Sequence, residues 1–248
     1  MNKVAQVTVY FWIMKVSATT LGETAGDLLS MTMNVGYALS SILLMSLFLG
    51  TLALQLFSHR FHPGLYWSVI LMTSTAGTTI SDYMDRTLGL GDVQGSLSLL
   101  MCLLLVLAVW RLREKTLSVS NIQTTKAELF YWVAILFSNT LGTALGDFLA
   151  DDSGLGFFGG AVLIGGLILL VALASYVTQL SRVLLFWIAF VLTRPFGATF
   201  GDLLTKPLEN GGLGFGTVGS SLILAMLLVT VVAYTSTMTR EAVQKTTA

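Results

Sequence analysis

Eight long apolar segments occupy most of the 248-residue sequence. Each has roughly the 17–25 residues that a helix needs to cross the hydrocarbon core of a bilayer. The strands of a membrane β-barrel would alternate between apolar and polar residues, whereas these segments are continuously apolar. The sequence therefore predicts an all-α integral membrane protein with eight transmembrane helices. The segments lie near residues 9–29, 35–57, 65–84, 90–110, 129–149, 157–180, 183–204 and 214–236.

Charged residues are too scarce for a soluble protein of this size. They make up 10% of the chain, against about 25% in a typical soluble domain. The 13 basic and 13 acidic residues cancel, so the net charge does not indicate a nucleic-acid partner. The single cysteine, Cys102, excludes an internal disulfide and a cysteine-based metal cluster. The lipid bilayer is therefore the first partner that we predict.

The basic residues are distributed unequally between the two sides of the predicted membrane. Nine lie on the side that holds both termini, and only Arg86 and Lys206 lie on the other. Because cytoplasmic loops carry an excess of Lys and Arg, we expect a multi-pass protein of the cell inner (cytoplasmic) membrane with both termini in the cytoplasm. The nine residues are Lys3, Arg60, Arg111, Arg113, Lys115, Lys126, Arg182, Arg240 and Lys245.

A fourfold internal repeat runs through the chain. Four tryptophans, four glycines and four aspartates recur with the same spacings of 55, 65 and 55 residues. Each copy covers two predicted helices, so all four copies have the same orientation in the membrane. The halves are residues 1–120, with hairpins 9–57 and 65–110, and residues 121–248, with hairpins 129–180 and 183–236. The repeated residues are Trp12, Trp67, Trp132 and Trp187; Gly22, Gly77, Gly142 and Gly197; and Asp27, Asp82, Asp147 and Asp202.

The chain resembles a bacterial family of membrane-anchored proteins. The resemblance rests on these four tryptophans and on the repeated G-x-x-x-[GS]-D pattern. That family is described as four tandem two-helix repeats of unknown function. The resemblance covers nearly the whole chain and implies the eight-helix layout. It implies no activity, so the functional argument depends on the residues themselves.

The polar residues of each repeat share one face of its first helix. At 100° per residue, the aspartate and two hydroxyl positions fall within one stripe, while small residues such as Gly22 and Gly26 fall on the opposite face. We therefore expect four stripes around a pseudo-symmetric polar centre. The G-x-x-x-G faces are expected to receive the second helices of the repeats. The hydroxyl residues that we assign to the stripes as ion ligands are Thr20, Thr75, Thr140, Thr24, Thr79 and Thr199.

Four gathered carboxylates favour a cation. Hard cations bind carboxylate and hydroxyl oxygens, and rings of aspartate select cations in pores. The sequence thus predicts a membrane transport protein, either a secondary transporter or a channel, for a cation such as a divalent metal ion. The four repeated aspartates are the tentative metal ligands, and no cofactor is predicted beyond a bound cation.

Two ionisable residues break the fourfold symmetry. Glu23 occurs only in the first repeat, one helical turn inward from Asp27, and joins the predicted ion-binding set. Arg194 occurs only in the fourth repeat, next to Pro195. Ionisable residues deep in a membrane are functional candidates, so Arg194 is predicted either to be a gate or counter-ion, or to form a fixed salt bridge with Glu23 or an aspartate. Lys15 is expected to extend to the membrane interface.

Two other functions stay open. In a non-transporting scaffold or sensor, the aspartates would cap the turns between helices. The more remote alternative is an intramembrane aspartyl hydrolase, but the G-x-G-D motif of such proteases fails at the G-D steps of the repeats, because residues 24, 144 and 199 are Thr, Ala and Thr. The sequence also lacks a P-loop and H-E-x-x-H, so we do not expect an enzyme.

Overall fold

The computed structural model describes residues 4–58, 60–119, 122 and 124–247, and side chains as far as residue 238. Lys3 and the side chains of Arg240 and Lys245, which contribute to the predicted charge asymmetry, lie outside the described residues. The described residues form eight α-helices and no strand. The helices are α1 (Val9–Asp27), α2 (Tyr37–Phe57), α3 (Pro63–Asp82), α4 (Gly91–Glu114), α5 (Thr125–Asp147), α6 (Gly156–Val177), α7 (Arg182–Thr205) and α8 (Thr217–Thr247).

Each helix coincides with one predicted apolar segment, and most helix ends lie within a few residues of the predicted ones. α8 extends beyond its predicted segment into the C-terminal tail. Six helices, α2 and α4–α8, are long and apolar enough to cross a membrane. The all-helical, multi-pass class is therefore confirmed. The crossing of α1 and α3 stays a prediction, because these helices carry many buried polar residues, including Lys15, Glu23 and Thr78.

The first helices of the four repeats form a closed ring. α1 packs against α3 and α7, and α5 packs against the same two helices. The second helices lie outside the ring, with α2 on α3, α4 on α5, α6 on α7 and α8 on α1. In its most apolar stretch α5 is 61% buried inside the protein, whereas α6 is only 17% buried. The outer helices thus present their apolar side chains to the surroundings, as lipid-facing helices do.

Aromatic side chains join the ring helices near their N-terminal ends. Phe11 of α1 contacts both Trp67 of α3 and Phe186 of α7, with ring centroids 5.5 and 6.2 Å apart. Tyr131 of α5 similarly lies 6.4 Å from Trp187 of α7. The aspartates at the other ends of these helices are also linked to one another, as described below. All four ring helices therefore run in the same direction.

The small residues hold the ring helices together, which corrects the expectation that they contact the outer helices. A Cβ atom built on Gly26 would lie 2.9 Å from Thr78 of α3. One built on Gly77 would lie 3.0 Å from the backbone nitrogen of Thr140 in α5. The helical wheel separated the small face from the polar face correctly. It could not show that the next ring helix, rather than an outer one, fills the small face.

Gly197 provides a test of this packing. A Cβ atom there would lie 2.7 Å from Thr19 Oγ1 of α1, so we expect Gly197→Ala to lower the free energy of unfolding by about 1–3 kcal/mol through overpacking. The matched control is Gly166→Ala in α6, where nothing lies within 4 Å of the added atom. Thermal unfolding in detergent should show a loss for the first variant only. Equal stability of the two variants would contradict the close helix approach.

Candidate functional site

Five buried carboxylates gather at the end of the ring where α1, α3, α5 and α7 terminate. We call this set the carboxylate cluster. Three of its aspartates are the last residues of their helices, and the fourth lies three residues before the end of α7. Each side chain belongs to a residue that is no more than 5% exposed. The members are Glu23, Asp27, Asp82, Asp147 and Asp202.

Arg86 links two of the aspartates across the interface between α3 and α5. Its Nε lies 3.2 Å from Asp82 Oδ1 and its Nη2 lies 3.4 Å from Asp147 Oδ2. The same Nη2 is 3.6 Å from Asp151, which is half-exposed. Arg86 follows Asp82 by four residues within a π-helical turn, Tyr83–Thr87. This turn directs the guanidinium back over the end of the ring.

Lys206 performs the equivalent bridging between α7 and α1. Its Nζ lies 2.9 Å from Asp27 Oδ2 and 3.2 Å from Asp202 Oδ1. Burial by itself lowers the pKa of Lys206, but the carboxylates of Asp202 and Asp27 outweigh it and raise that pKa above its ordinary value. Lys206 is therefore held as a cation at neutral pH. The four aspartates are thus tied in two pairs, each by one basic side chain.

Arg194 lies on the inner side of the carboxylate cluster and contacts the other three ring helices. Its Nη1 is 2.8 Å from Glu23 Oε2 of α1. Its Nη2 donates hydrogen bonds to Thr78 Oγ1 of α3 and to Thr143 Oγ1 of α5, the latter at 2.6 Å. The whole Arg194 side chain is buried. The predicted pairing of Arg194 with Glu23 is confirmed.

Thr78 and Thr143 were missed as site residues in the sequence reasoning. They occupy the positions in the second and third repeats that Glu23 occupies in the first. Their shared stripe position was the available signal. Since a guanidinium carries several donors and no acceptor, a single arginine at the centre of a fourfold ring requires acceptors from each neighbouring helix. The repeat position that Glu23, Thr78 and Thr143 share supplies them.

Three carboxylates approach one another closely enough to share a cation. Oxygen atoms of Glu23, Asp147 and Asp202 all lie within 4.8 Å of one another, and all three residues are buried. Like charges at this distance disfavour ionisation of all three groups unless a cation or a proton compensates. Carboxylate oxygens at such spacing are suitable ligands for a hard divalent ion.

The charges described around the cluster do not cancel. Five carboxylates face three basic side chains, Arg86, Lys206 and Arg194. With every group ionised, this leaves two negative charges in a buried site. Burial of unpaired charge is costly, so the site favours one divalent ion, two monovalent ions or bound protons.

The six predicted threonine ligands lie on the ring helices, and their role as ion ligands stays a prediction. Their hydroxyl groups donate to carbonyl oxygens three or four residues earlier in the same helix, as Thr20 does to Val16. Thr24 also accepts a hydrogen bond from Ser221 of α8. These hydroxyl groups thus form hydrogen bonds within the ring helices and, at Thr24, to an outer helix. The charges of the aspartates are balanced mainly by Arg86 and Lys206, two residues that the sequence reasoning did not assign to the site.

Lys15 is fully buried, so the expectation that it extends to the membrane interface is wrong. Its Nζ donates to Asn139 Oδ1 at 3.3 Å and lies 4.1 Å from the centroid of the Phe190 ring. Asn139 in turn donates to Thr73 Oγ1 at 2.9 Å. The interior of the ring satisfies this amine with one amide oxygen and an aromatic face. Lys15, Asn139 and Thr73 therefore form a buried polar group inside the ring.

A ring of four repeated helices with a buried ionic cluster, enclosed by apolar outer helices, defines a multi-pass helical membrane protein with internal repeats. The chain belongs to the family described as Repeat of Unknown Function (DUF347), whose model matches residues 10–61, 65–116, 130–181 and 185–241. These four segments coincide with the four helical hairpins and confirm the resemblance noted from the sequence. No curated protein and no solved structure shows significant similarity to the chain.

The Arg194–Glu23 pair gives a prediction about stability. Arg194→Met leaves Glu23 buried without its partner, and we expect a loss of about 3–5 kcal/mol in the free energy of unfolding. The double variant Arg194→Met/Glu23→Gln removes both charges and should recover much of that loss. Denaturant unfolding in detergent measures both, with the exposed Arg113→Met as the matched control. A double variant that is no more stable than Arg194→Met would contradict a direct pairing.

Proposed function

We propose that the protein is a membrane transport protein, a secondary transporter or channel, for a cation such as a divalent metal ion. The observation that carries the proposal is the convergence of Glu23, Asp147 and Asp202, whose buried carboxylate oxygens lie within 4.8 Å of one another. Hard cations bind such oxygens. The uncompensated negative charge of the cluster supports an exchangeable positive occupant.

We also propose the route by which the ion reaches this site. All eight helices cross the membrane, with both termini in the cytoplasm and the carboxylate cluster toward the outer face. The asymmetric distribution of basic residues supports this orientation. α1 and α3 are ring helices covered on the outside by α8 and α2, so their polar residues face the interior rather than lipid. A cation then enters from the outside, past the aspartates.

Two kinds of basic residue have different roles in this proposal. Arg86 and Lys206 lie at the rim, with side chains 42% and 24% exposed, so they can move aside when a cation binds. Arg194 lies beneath the cluster with a fully buried side chain. It acts as the gate, because an ion can pass only if its bonds to Glu23, Thr78 and Thr143 are rearranged.

A second candidate is a non-transporting scaffold or sensor. The observation that favours it is that Arg194 fixes the ring helices to one another, as a permanent structural cross-link would. The capping form of this alternative has less support. In the described residues, Asp27, Asp82 and Asp147 make no side-chain capping bonds to the π-helical turns that follow them. We propose no enzymatic role, since basic side chains bridge the aspartates.

Transport predicts loss of flux when a member of the three-carboxylate site is neutralised. We expect Asp147→Asn to lower Mn²⁺ uptake into proteoliposomes by about 10–100-fold, in the range found for weakened metal sites. The matched control, Asp152→Asn, changes an exposed acid five residues away and should retain uptake. Neutralisation of Glu23, Asp147 and Asp202 together without any loss of flux would refute the site.

A substitution at Lys206 tests whether the carboxylate cluster binds a cation or belongs to a fixed scaffold. Lys206→Met removes a positive charge that neutralises Asp27 and Asp202, so the site becomes more negative. If the site binds a cation, added Mn²⁺ should then raise the melting temperature of this variant more than that of the wild type, because a ligand stabilises the folded state that binds it. Lys126→Met, at an exposed position at the start of α5, should match the wild type. A fixed scaffold predicts no Mn²⁺-dependent shift in any of the three proteins.

A further inference from the structure

A large apolar groove opens between α1, α6 and α7, near the N-terminal ends of the two ring helices. Its volume is about 960 Å³, which lies within the roughly 300–1,000 Å³ of small-molecule sites. On α7 the lining of the groove ends at Thr193, nine residues before Asp202 and one before Arg194. Among its apolar lining residues are Val9, Ile13, Val16, Ile168, Val171 and Leu185.

The groove lies where α6 carries smaller or less buried side chains than α2 and α4 carry at equivalent positions. The 55- and 65-residue spacings make Gln55, Trp110 and Ser175 equivalent positions of α2, α4 and α6. Trp110 is 1% exposed and lies 5.7 Å from Trp187, so its indole fills the space between α5 and α7. Gln55 is equally buried, and donates to Glu128 of α5. Ser175 is too small to fill the corresponding space between α7 and α1.

The same difference occurs two helical turns earlier. Phe48 of α2 and Leu103 of α4 are 3% and 2% exposed. Their counterpart in α6 is Ile168, which is only partly buried and lines the groove. In two other repeats, larger or more deeply buried side chains close this space. In α6 the space stays open along several turns of the helix.

The mouth of the groove carries a basic side chain. Arg182 is the first residue of α7, is exposed and lines the groove. Its Nη1 donates to the backbone carbonyl of Ser175, which places the guanidinium at the end of α6. That bond uses one of the five N–H donors of a guanidinium. The others can form the charge-assisted bonds that phosphate groups accept.

We propose that this groove binds a membrane phospholipid with an anionic headgroup. An acyl chain lies along the apolar wall of α1, α6 and α7, and the headgroup phosphate contacts Arg182. The occupant is a lipid because the groove opens beside α6, the most apolar of the candidate membrane spans. The anionic headgroup follows from the charge at the mouth. This site is independent of the cation proposed above.

The test uses the protein purified in detergent, with native mass spectrometry to count bound phosphatidylglycerol and phosphatidylcholine of identical acyl chains. Wild type should retain one phosphatidylglycerol. Ser175→Trp supplies the ring that Trp110 supplies in α4 and should abolish retention. Leu173→Trp adds the same ring on the exposed face of α6 and should retain the lipid as wild type does. Ala172→Phe, also in the groove wall, replaces Ser175→Trp if that variant does not fold.

The headgroup contact has its own variant. Arg182→Gln should retain a lipid but lose its preference for phosphatidylglycerol over phosphatidylcholine by about fivefold, the effect of one basic residue near an anionic surface. Arg113→Gln removes an exposed arginine outside the groove and should keep the preference. Retention of phosphatidylglycerol by the filled-groove variants, or no retained lipid in wild type, would overturn the proposal. An unchanged preference in Arg182→Gln would overturn the headgroup contact.

Discussion

The structure depends on the pairing of a guanidinium that is entirely removed from solvent. Arg194 pairs with Glu23 at 2.8 Å and bonds to hydroxyl groups of the two remaining ring helices. A buried charge without partners costs several kcal/mol, so these bonds require all four helices to lie at fixed positions around one side chain. The ring has a charged centre in place of an apolar one.

That requirement explains the small residues and the aromatic contacts. The ring helices can reach Arg194 only if they approach closely, which Gly26, Gly77 and Gly197 permit. At the other end of the ring, large aromatic side chains such as Trp132 are fully buried between the same helices. Close approach at the charged end and aromatic packing at the other end fix the direction of every ring helix. The carboxylate cluster follows, because four equivalent helices then end at one place.

Much of this architecture could be predicted from the sequence, and the rest depended on choices that periodicity does not determine. Apolar length predicted the positions of the helices, and the 55- and 65-residue spacings predicted that Asp27, Asp82, Asp147 and Asp202 would be equivalent. The pairing of Arg194 with Glu23 was predictable because buried charges need partners. The helical wheel gave the small face of α1 but not its neighbour. Arg86 and Lys206 each follow a predicted aspartate by four residues, which was an available signal, but their second partners, Asp147 and Asp27, lie far along the chain. Lys15 was misplaced because its acceptor, Asn139, lies on another helix.

Together these features indicate that the excess of carboxylates at the end of the ring holds a cation. The most direct measurement is anomalous diffraction from crystals of the protein grown with Mn²⁺. The account predicts one anomalous peak between Glu23, Asp147 and Asp202, with carboxylate oxygens within about 2.5 Å of the ion. Crystals saturated with Mn²⁺ that show no peak among these three residues would contradict it.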